Sequence, residues 1–342
     1  MPTSINSDGV VVGHYGVKSS TDEITHPFLW THESGMKNLG FAVGQEGNAK
    51  GVNDAGRILI HELLEQGDCM CPDPENSIYL IRSVTSGEVI RTITASTRIE
   101  ECMLGPDDTV VLQTEALSEE RLETFRWSPL LGFERIGGAT DIINVLAVNP
   151  LSWIAGHVVQ WGKSRNALYY GTRPFLWTPE EGMTQFDFVK YKISSIVALN
   201  NLGQALIDDG ASYYILDAGS VERIPGTDSN DFTAASMNNV GEIVGTGFID
   251  TLKSILGELI QTYAFRNPWF LRKTYAWTSD WSSRETYAAI WFNGGLHSLD
   301  ESLVNGREWR LERANDINDK GQIIGVGKYK GKDAGFILDP VE

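Results

Sequence analysis

The feature that most constrains this chain is a short reversal that returns along its length, cleanest as Ile317-Asn318-Asp319-Lys320-Gly321 followed by Gln322-Ile323-Ile324-Gly325. Asn or Asp can fold its side-chain oxygen back onto backbone N–H groups two residues on, and Gly tolerates the left-handed backbone the reversal needs. An apolar run, Asn-x-x-Gly and a second apolar run therefore read as a β-hairpin. The same frame stands at Ile5-Asn6-Ser7-Asp8-Gly9, Val52-Asn53-Asp54-Ala55-Gly56, Leu199-Asn200-Asn201-Leu202-Gly203 and Met237-Asn238-Asn239-Val240-Gly241. Degraded copies occur at Leu104-Gly105-Pro106-Asp107-Asp108 and Val148-Asn149-Pro150-Leu151-Ser152. Seven such units in 342 residues argue for one closed array rather than two average domains.

Aligned on the turn Asn, the preceding position is Ile5, Val52, Leu104, Val148, Leu199, Met237 and Ile317, apolar in every unit and so expected to face a core. One residue earlier stand Ser4, Gly51, Met103, Ala147, Ala198, Ser236 and Asp316, mostly small, as first strands crowding a shared axis require. Past the turn come adjacent apolar pairs such as Val11-Val12, Ile58-Leu59, Ile243-Val244 and Ile323-Ile324. Neighbours on a strand point to opposite faces, so this second strand is buried on both sides. A third, aromatic strand follows, as in Pro27-Phe28-Leu29-Trp30, Pro174-Phe175-Leu176-Trp177 and Gly335-Phe336-Ile337-Leu338. A fourth starts at Ser34-Gly35-Met36-Lys37-Asn38-Leu39, Glu181-Gly182-Met183-Thr184-Gln185-Phe186 and Gly295-Leu296-His297-Ser298-Leu299. Four strands per unit, at about 40 to 50 residues each, specify a seven-bladed β-propeller in a single domain spanning 1–342. The last unit stops at Asp339-Pro340-Val341-Glu342 after its third strand, so one blade is expected to carry three strands or to take its fourth from an upstream segment.

Asn-x-x-Gly with an aliphatic strand, then Phe-Leu-Trp, then Gly-Met-x-x-Leu resembles the bacterial His-Ala-Phe (HAF) repeat proteins. The resemblance covers nearly the whole chain and is best at 5–40, 149–188 and 314–338; the eponymous tripeptide stands as His26-Pro27-Phe28 and Arg173-Pro174-Phe175. It implies a β-propeller. Functions in that family are mostly unassigned, so it implies no particular chemistry.

Composition narrows the partners. A net charge of −17 argues against nucleic-acid or anionic-membrane binding, because both repel a chain of that sign. No stretch approaches the roughly 20 apolar residues of a membrane span. Met1-Pro2-Thr3-Ser4 has neither a basic start nor an apolar core, which favours a cytoplasmic protein. The odd count of cysteines, Cys69, Cys71 and Cys102, points to a reducing compartment rather than a disulfide framework. No cofactor is expected, and the chain is expected to be a monomer.

One unit departs from the rest. Between its second and third strands lies an insertion over 247–287, in which Ile249, Leu252, Leu256, Leu259 and Tyr263 recur at helical spacing and predict an amphipathic helix over Phe248 to Tyr263. Arg266, Trp269, Phe270, Arg272, Tyr275, Trp277 and Trp281 follow, a density of aromatics and arginines that suits a protein-binding cluster. The same rings could stack on sugars, or pack privately against a neighbouring blade. The links between second and third strands, at 15–26, 62–77, 158–173 and 247–287, vary as loops of a binding face do on a rigid scaffold. A sharper possibility rests on the eighth position after each turn Asn, which holds His14, His61, His157 and Asp208. Convergence at one channel mouth would suit a divalent metal or a general base; the blander reading leaves these side chains one strand out from the axis, too far apart for one ion. No nucleophile elbow, phosphate loop or His-Glu-x-x-His is present. The leading expectation is a non-catalytic interaction scaffold gripping a protein through the insertion; the alternative is a carbohydrate-binding or carbohydrate-active propeller, with a metal at the His positions.

Overall fold

The computed structural model describes residues 1–18, 23–40, 46–63, 77–84, 88–93, 99–106, 108–115, 122–137, 142–149, 151–164, 167–186, 195–217, 219–228, 231–249, 284–304 and 306–341. Seven antiparallel sheets follow one another as blades of a propeller: residues 2–38, 46–93, 99–135, 142–185, 195–228, 232–298 and 309–338. In the first six the strands lie in chain order from the inner to the outer edge; the seventh has three strands, Trp309–Ile317, Ile323–Tyr329 and Lys332–Leu338. Inner strands contact those of the next blade around the ring, and blade 7 returns to blade 1.

The alternation read from the sequence is what packs this ring. Val12, Ile58, Leu59, Val110, Ala155, Leu206, Val244 and Ile324 on second strands are fully or almost fully buried, with one neighbour of each apolar pair facing each adjacent blade. Burial at roughly 25 cal/mol per Å2 makes these interblade seams the main source of cohesion. Each of the seven seams holds its own apolar cluster.

Six inner strands share a bulge that the hydrophobic pattern does not reveal. Pairing skips Thr3, Lys50, Leu146, Val197, Ala235 and Asn315, each two positions before the apolar residue that precedes the turn Asn. Such a bulge bends and twists the strand. Blade 3 lacks it there and shifts register near Glu101 instead.

Several linking segments are shorter than the sequence suggested. In blade 4 the expected link 158–173 is strand, because Ile154–Ser164 and Ala167–Thr178 pair continuously from Ile154 opposite Trp177 to Ser164 opposite Ala167. In blade 6 Gly247, Phe248 and Ile249 pair with Tyr287, Thr286 and Glu285, so neither the insertion nor a helix starts at 247 or 248. Ladder hydrogen bonds hold those ends extended. Residues 250–283, with the rest of the expected helix, lie outside the described residues. Among the described residues there is no α-helix, and none is long and apolar enough to cross a membrane.

Candidate functional site

The two ends of the propeller differ in construction. On one end six of the seven inner strands turn back through the same five-residue reversal: Asn318 N–H donates to Gln322 O at 3.1 Å and Gly321 N–H to Asn318 O at 3.0 Å, with the same pair of bonds at Asn6, Asn53, Asn149, Asn200 and Asn238, while in blade 3 Gly105 N–H donates to Thr109 O and Thr109 N–H to Pro106 O. The fourth residue of the turn sits at positive φ, +77° at Gly9 and +76° at Gly321, where a Cβ is strained. Ser152, at φ 61°, and Asp108, at φ 59° in the blade 3 turn, are the side chains that accept this conformation in the series.

The turn Asn does more than shape its own reversal. Its Oδ1 accepts local N–H groups, as from Leu202 at 3.1 Å and Gln204 at 2.9 Å on Asn200. Its Nδ2 donates across the seam to the backbone carbonyl of the next turn. Asn6 reaches Asn53 O at 3.1 Å, Asn53 reaches Gly105 O at 2.8 Å, and Asn149 reaches Asn200 O at 3.0 Å. Asn200 reaches Asn238 O at 3.2 Å, Asn238 reaches Asn318 O at 3.4 Å, and Asn318 closes the circle on Asn6 O at 2.9 Å. The chain of amides is interrupted where Gly105 stands in blade 3.

This belt surrounds an axial cavity of about 260 Å3, bounded by the turn asparagines, the apolar residues before them, Ser236 and Asp316. Asp316 ties three blades together. Its Oδ1 accepts Ser236 Oγ–H at 2.7 Å and Ile317 N–H at 2.9 Å, and its Oδ2 accepts Ile5 N–H at 3.0 Å. Burial pushes its carboxyl above the ordinary range, and those donors oppose the shift. Its residual exposure is to the cavity it lines. At the mouth Asp319 accepts Asn239 N–H at 2.9 Å, Asn239 Nδ2–H at 2.7 Å and Asn201 Nδ2–H at 3.2 Å. The polar groups of this end are engaged with one another, which describes a rigid hub.

The opposite end is where second strands stop and third strands begin, as at Leu63 and Ser77 and at Ile249 and Glu285. Here lie the second-strand positions singled out for metal. Among the described residues no three His, Cys, Asp or Glu side chains come together as a ligand group. His14 and His61 flank Lys50 at the seam of blades 1 and 2. Burial pushes the His61 imidazole down to about 4, with Lys50 adding to the effect, and burial, then the N-terminal ammonium and Lys50, lower His14. His157, also lowered by burial, lies in blade 4 with its Nε2 3.0 Å from Asn144 Nδ2. In blade 5 Asp208 accepts Gly210 N–H at 2.8 Å, and its neighbour Asp209 accepts Ala211 and Ser212 N–H at 2.9 and 2.8 Å. That carboxylate pair builds a turn. Nearby, Tyr213 is buried and its phenol is pushed up to about 12, mainly by burial, while it accepts Ala234 N–H at 3.1 Å from the next blade.

Arg266, Trp269, Phe270, Arg272, Tyr275, Trp277 and Trp281 lie outside the described residues, as do Cys69 and Cys71; Cys102 is buried and in no disulfide among the described residues. The strand ends that carry the insertion do converge: Arg284 Nη2 is 3.2 Å from Asp231 Oδ1, and its guanidinium stacks on Phe248, 5.4 Å from the ring centre. Sequence reasoning missed the belt and the Asp316 junction. The signal was there, since one residue type recurs at six aligned positions, but a turn-forming role already accounted for it.

No family model matches this chain, and no curated protein matches it. Among solved structures it is similar to the β-propeller domain of the Trilobed protease from Pyrococcus furiosus, described as having an open velcro topology, at 12% identity and TM-score 0.52 over 87% of this chain and 80% of that one. It is similar to Pyrococcus horikoshii acylaminoacyl peptidase at 11% identity and TM-score 0.59, over 99% of this chain and 50% of that one. A structure of the mitotic checkpoint complex aligns at 10% identity and TM-score 0.50 over 99% and 90% of the two chains. The chain spans about half the length of the acylaminoacyl peptidase. At these identities the likeness is one of fold.

Proposed function

We propose that this propeller is a non-catalytic interaction module that holds a protein partner on its link face, with the aromatic and arginine-rich insertion as the gripping element. The observation that carries this reading is the contrast between the two ends: one is closed by turns that repeat in six of the seven blades and bond across the seams, and the other is where second strands hand over to third strands through links of unequal length. Rigid scaffolds place their recognition residues on such loops. A partner met through Trp269 and Trp277 with Arg266 and Arg272 suits the aromatic and arginine bias of binding hot spots. We further propose that the repeat belongs with the HAF group, on the strength of its Asn-x-x-Gly and Phe-Leu-Trp strings.

A second reading is favoured by the likeness to propellers within peptidases. In that reading the partner is a hydrolase that the propeller accompanies, and the chemistry resides in that partner. Capture experiments decide between faces. The double variant Trp269→Ala and Trp277→Ala is expected to abolish capture of the partner with the melting temperature nearly unchanged. Leu202→Asp, at an exposed apolar position on the turn end, is expected to retain capture. Loss with Leu202→Asp and retention with the tryptophan variant would contradict the assignment. Saturable binding on a glycan array would move the reading to carbohydrate.

A further inference from the structure

Each turn Asn donates its own N–H to the second strand, as Asn6 does to Val10 O and Asn238 to Glu242 O, both at 3.1 Å. The residue before it therefore turns its N–H and C=O the other way, toward the axis. Ile5, Val52, Met237 and Ile317 send their side chains into the interblade apolar clusters, yet all four line the axial cavity of about 260 Å3. It is their backbone that faces it. Ile5 N–H shows the arrangement directly, since it meets Asp316 there at 3.0 Å.

Among the described residues the charged groups lining this cavity are Asp316, Asp54 and Asp319, with no Lys, Arg or His beside them. Asp316 is the one acid in an aligned set whose other members are Ser4, Gly51, Met103, Ala147, Ala198 and Ser236. Its donors, the Ser4 and Ser236 side chains and the Ile5 and Ile317 backbone, are all neutral. Asp54 accepts Ser7 N–H at 2.8 Å, and Asp319 accepts amide groups of Asn201 and Asn239. These bonds fix where the carboxylates sit but do not balance their charge.

We propose that the axial cavity binds a small aliphatic amine, its ammonium group held by Asp316 and the inward carbonyls and its chain directed toward Asp54 and Asp319. An ammonium carries three donors and no acceptor, which matches carboxylate and carbonyl oxygens. A lining charged only in the negative sense draws cations in and turns anions away. Size favours an organic ion over a bare one: a water takes about 30 Å3 of liquid, so the cavity has room for a chain of about eight non-hydrogen atoms. Ala55 and Pro106 in its wall offer apolar surface to the methylenes. The belt of cross-bonded asparagines holds these groups in place before a ligand arrives, which lowers the ordering cost of binding. The cavity lies on the turn end, so this proposal stands apart from the link-face reading.

The test is isothermal titration of the full chain with cadaverine, a linear diamine, and with the linear pentanediol of equal length as its neutral counterpart. Saturable one-to-one binding of the diamine is expected, with none of the diol. Asp316→Asn is expected to weaken binding at least ten-fold, as removal of one partner of a buried charge pair does. Asp316 also ties blades together, so a second variant guards against misfolding: Asp54→Asn combined with Asp319→Asn, both exposed, is expected to weaken binding several-fold and to reduce its salt dependence. A lysine derivative blocked at both backbone ends distinguishes the sources of the ammonium. Tighter binding than the diamine assigns it to a lysine side chain of a polypeptide, and weaker binding to a free amine. Absence of saturable binding by either amine, equal binding of the diol, or undiminished binding by both variants would overturn the proposal.

Discussion

Where blade 6 meets blade 7, Asn238 reaches across to Asn318 O at 3.4 Å and Leu299 fills the outer part of the seam. Where blade 7 meets blade 1, Asn318 reaches Asn6 O at 2.9 Å, Asn315 Nδ2–H donates to Pro2 O at 2.8 Å, Asp316 accepts Ile5 N–H, and the outer part of the seam is a cavity. Across the first junction Ser236 Oγ–H also donates to Asp316 at 2.7 Å and Asn239 to Asp319 at 2.9 and 2.7 Å, so the inner edge is densely bonded at both junctions, with or without an outer strand. Among the described residues the ring joins along its inner edge, through backbone carbonyls and buried amides, while outer strands add packing at the other six seams. Propellers that close by sharing a blade between chain termini distribute these roles differently.

Asn318→Ala should produce the largest loss, about 4 kcal/mol by urea denaturation, because it strands the Lys320 and Gln322 N–H groups, at about 1–3 kcal/mol each, and takes from the Asn6 carbonyl the cross-seam bond it accepts besides Gly9 N–H. Asn238→Ala should cost less, as its cross-seam bond is longer. Equal losses would erase the distinction between the junctions. Next comes the outer seam: Leu299→Ala should cost about 3 kcal/mol as a buried large-to-small change, whereas Ile337→Ala, beside the existing cavity, should cost about 1 kcal/mol.

The seam of blades 1 and 2, filled inside and out, adds a pH dependence. His61 is held at about 4, and His14 and His157 are lowered. The unfolded chain therefore binds protons that the folded chain does not, so stability is full above about pH 6.5 and falls as pH drops toward 4. Asp316, raised by burial, works in the opposite sense: its contribution is present at low pH and fades as pH rises through its folded value. Since His61 is only half-buried, its share is on the order of 1–2 kcal/mol, below the full linkage value. His61→Gln should flatten the decline in melting temperature between pH 6.5 and 4, and an unchanged profile would contradict the assignment. The smallest effect is a gain: Ser152→Gly should relieve the left-handed strain at φ 61° and stabilise by about 0.5–1 kcal/mol.

Much of the fold was legible because its determinants are local. Apolar pairs on second strands, small residues near the axis and Asn-x-x-Gly reversals each have a short-range cause, and they locate seven blades and the three-stranded last one. What was not legible depends on distance in the chain. The destination of the Asn318 amide is a carbonyl on the first blade, and the bulges at Lys50 and Asn315 leave no hydrophobic trace. Within the long hairpin over 154–178, residues 158–173 read as a link in the sequence, where Gln160-Trp161-Gly162-Lys163-Ser164 lacks alternation. For the site, shared position within a repeat suggested that His14, His61 and His157 converge, yet equivalent positions on blades diverge with radius. The aromatic cluster at 266–281 lies outside the described residues, so its role rests on composition.

Native-state hydrogen exchange tests the central claim most directly. The belt amides of Val10, Gln204, Glu242 and Gln322, all bonded to turn asparagines, should exchange only through global unfolding, while the Ile337 amide on the open edge exchanges locally. If Val10 and Gln322 instead exchange together at a lower free energy than Gln204 and Glu242, the ring opens at the junction of blades 7 and 1 before it unfolds, and the inner belt does not close it.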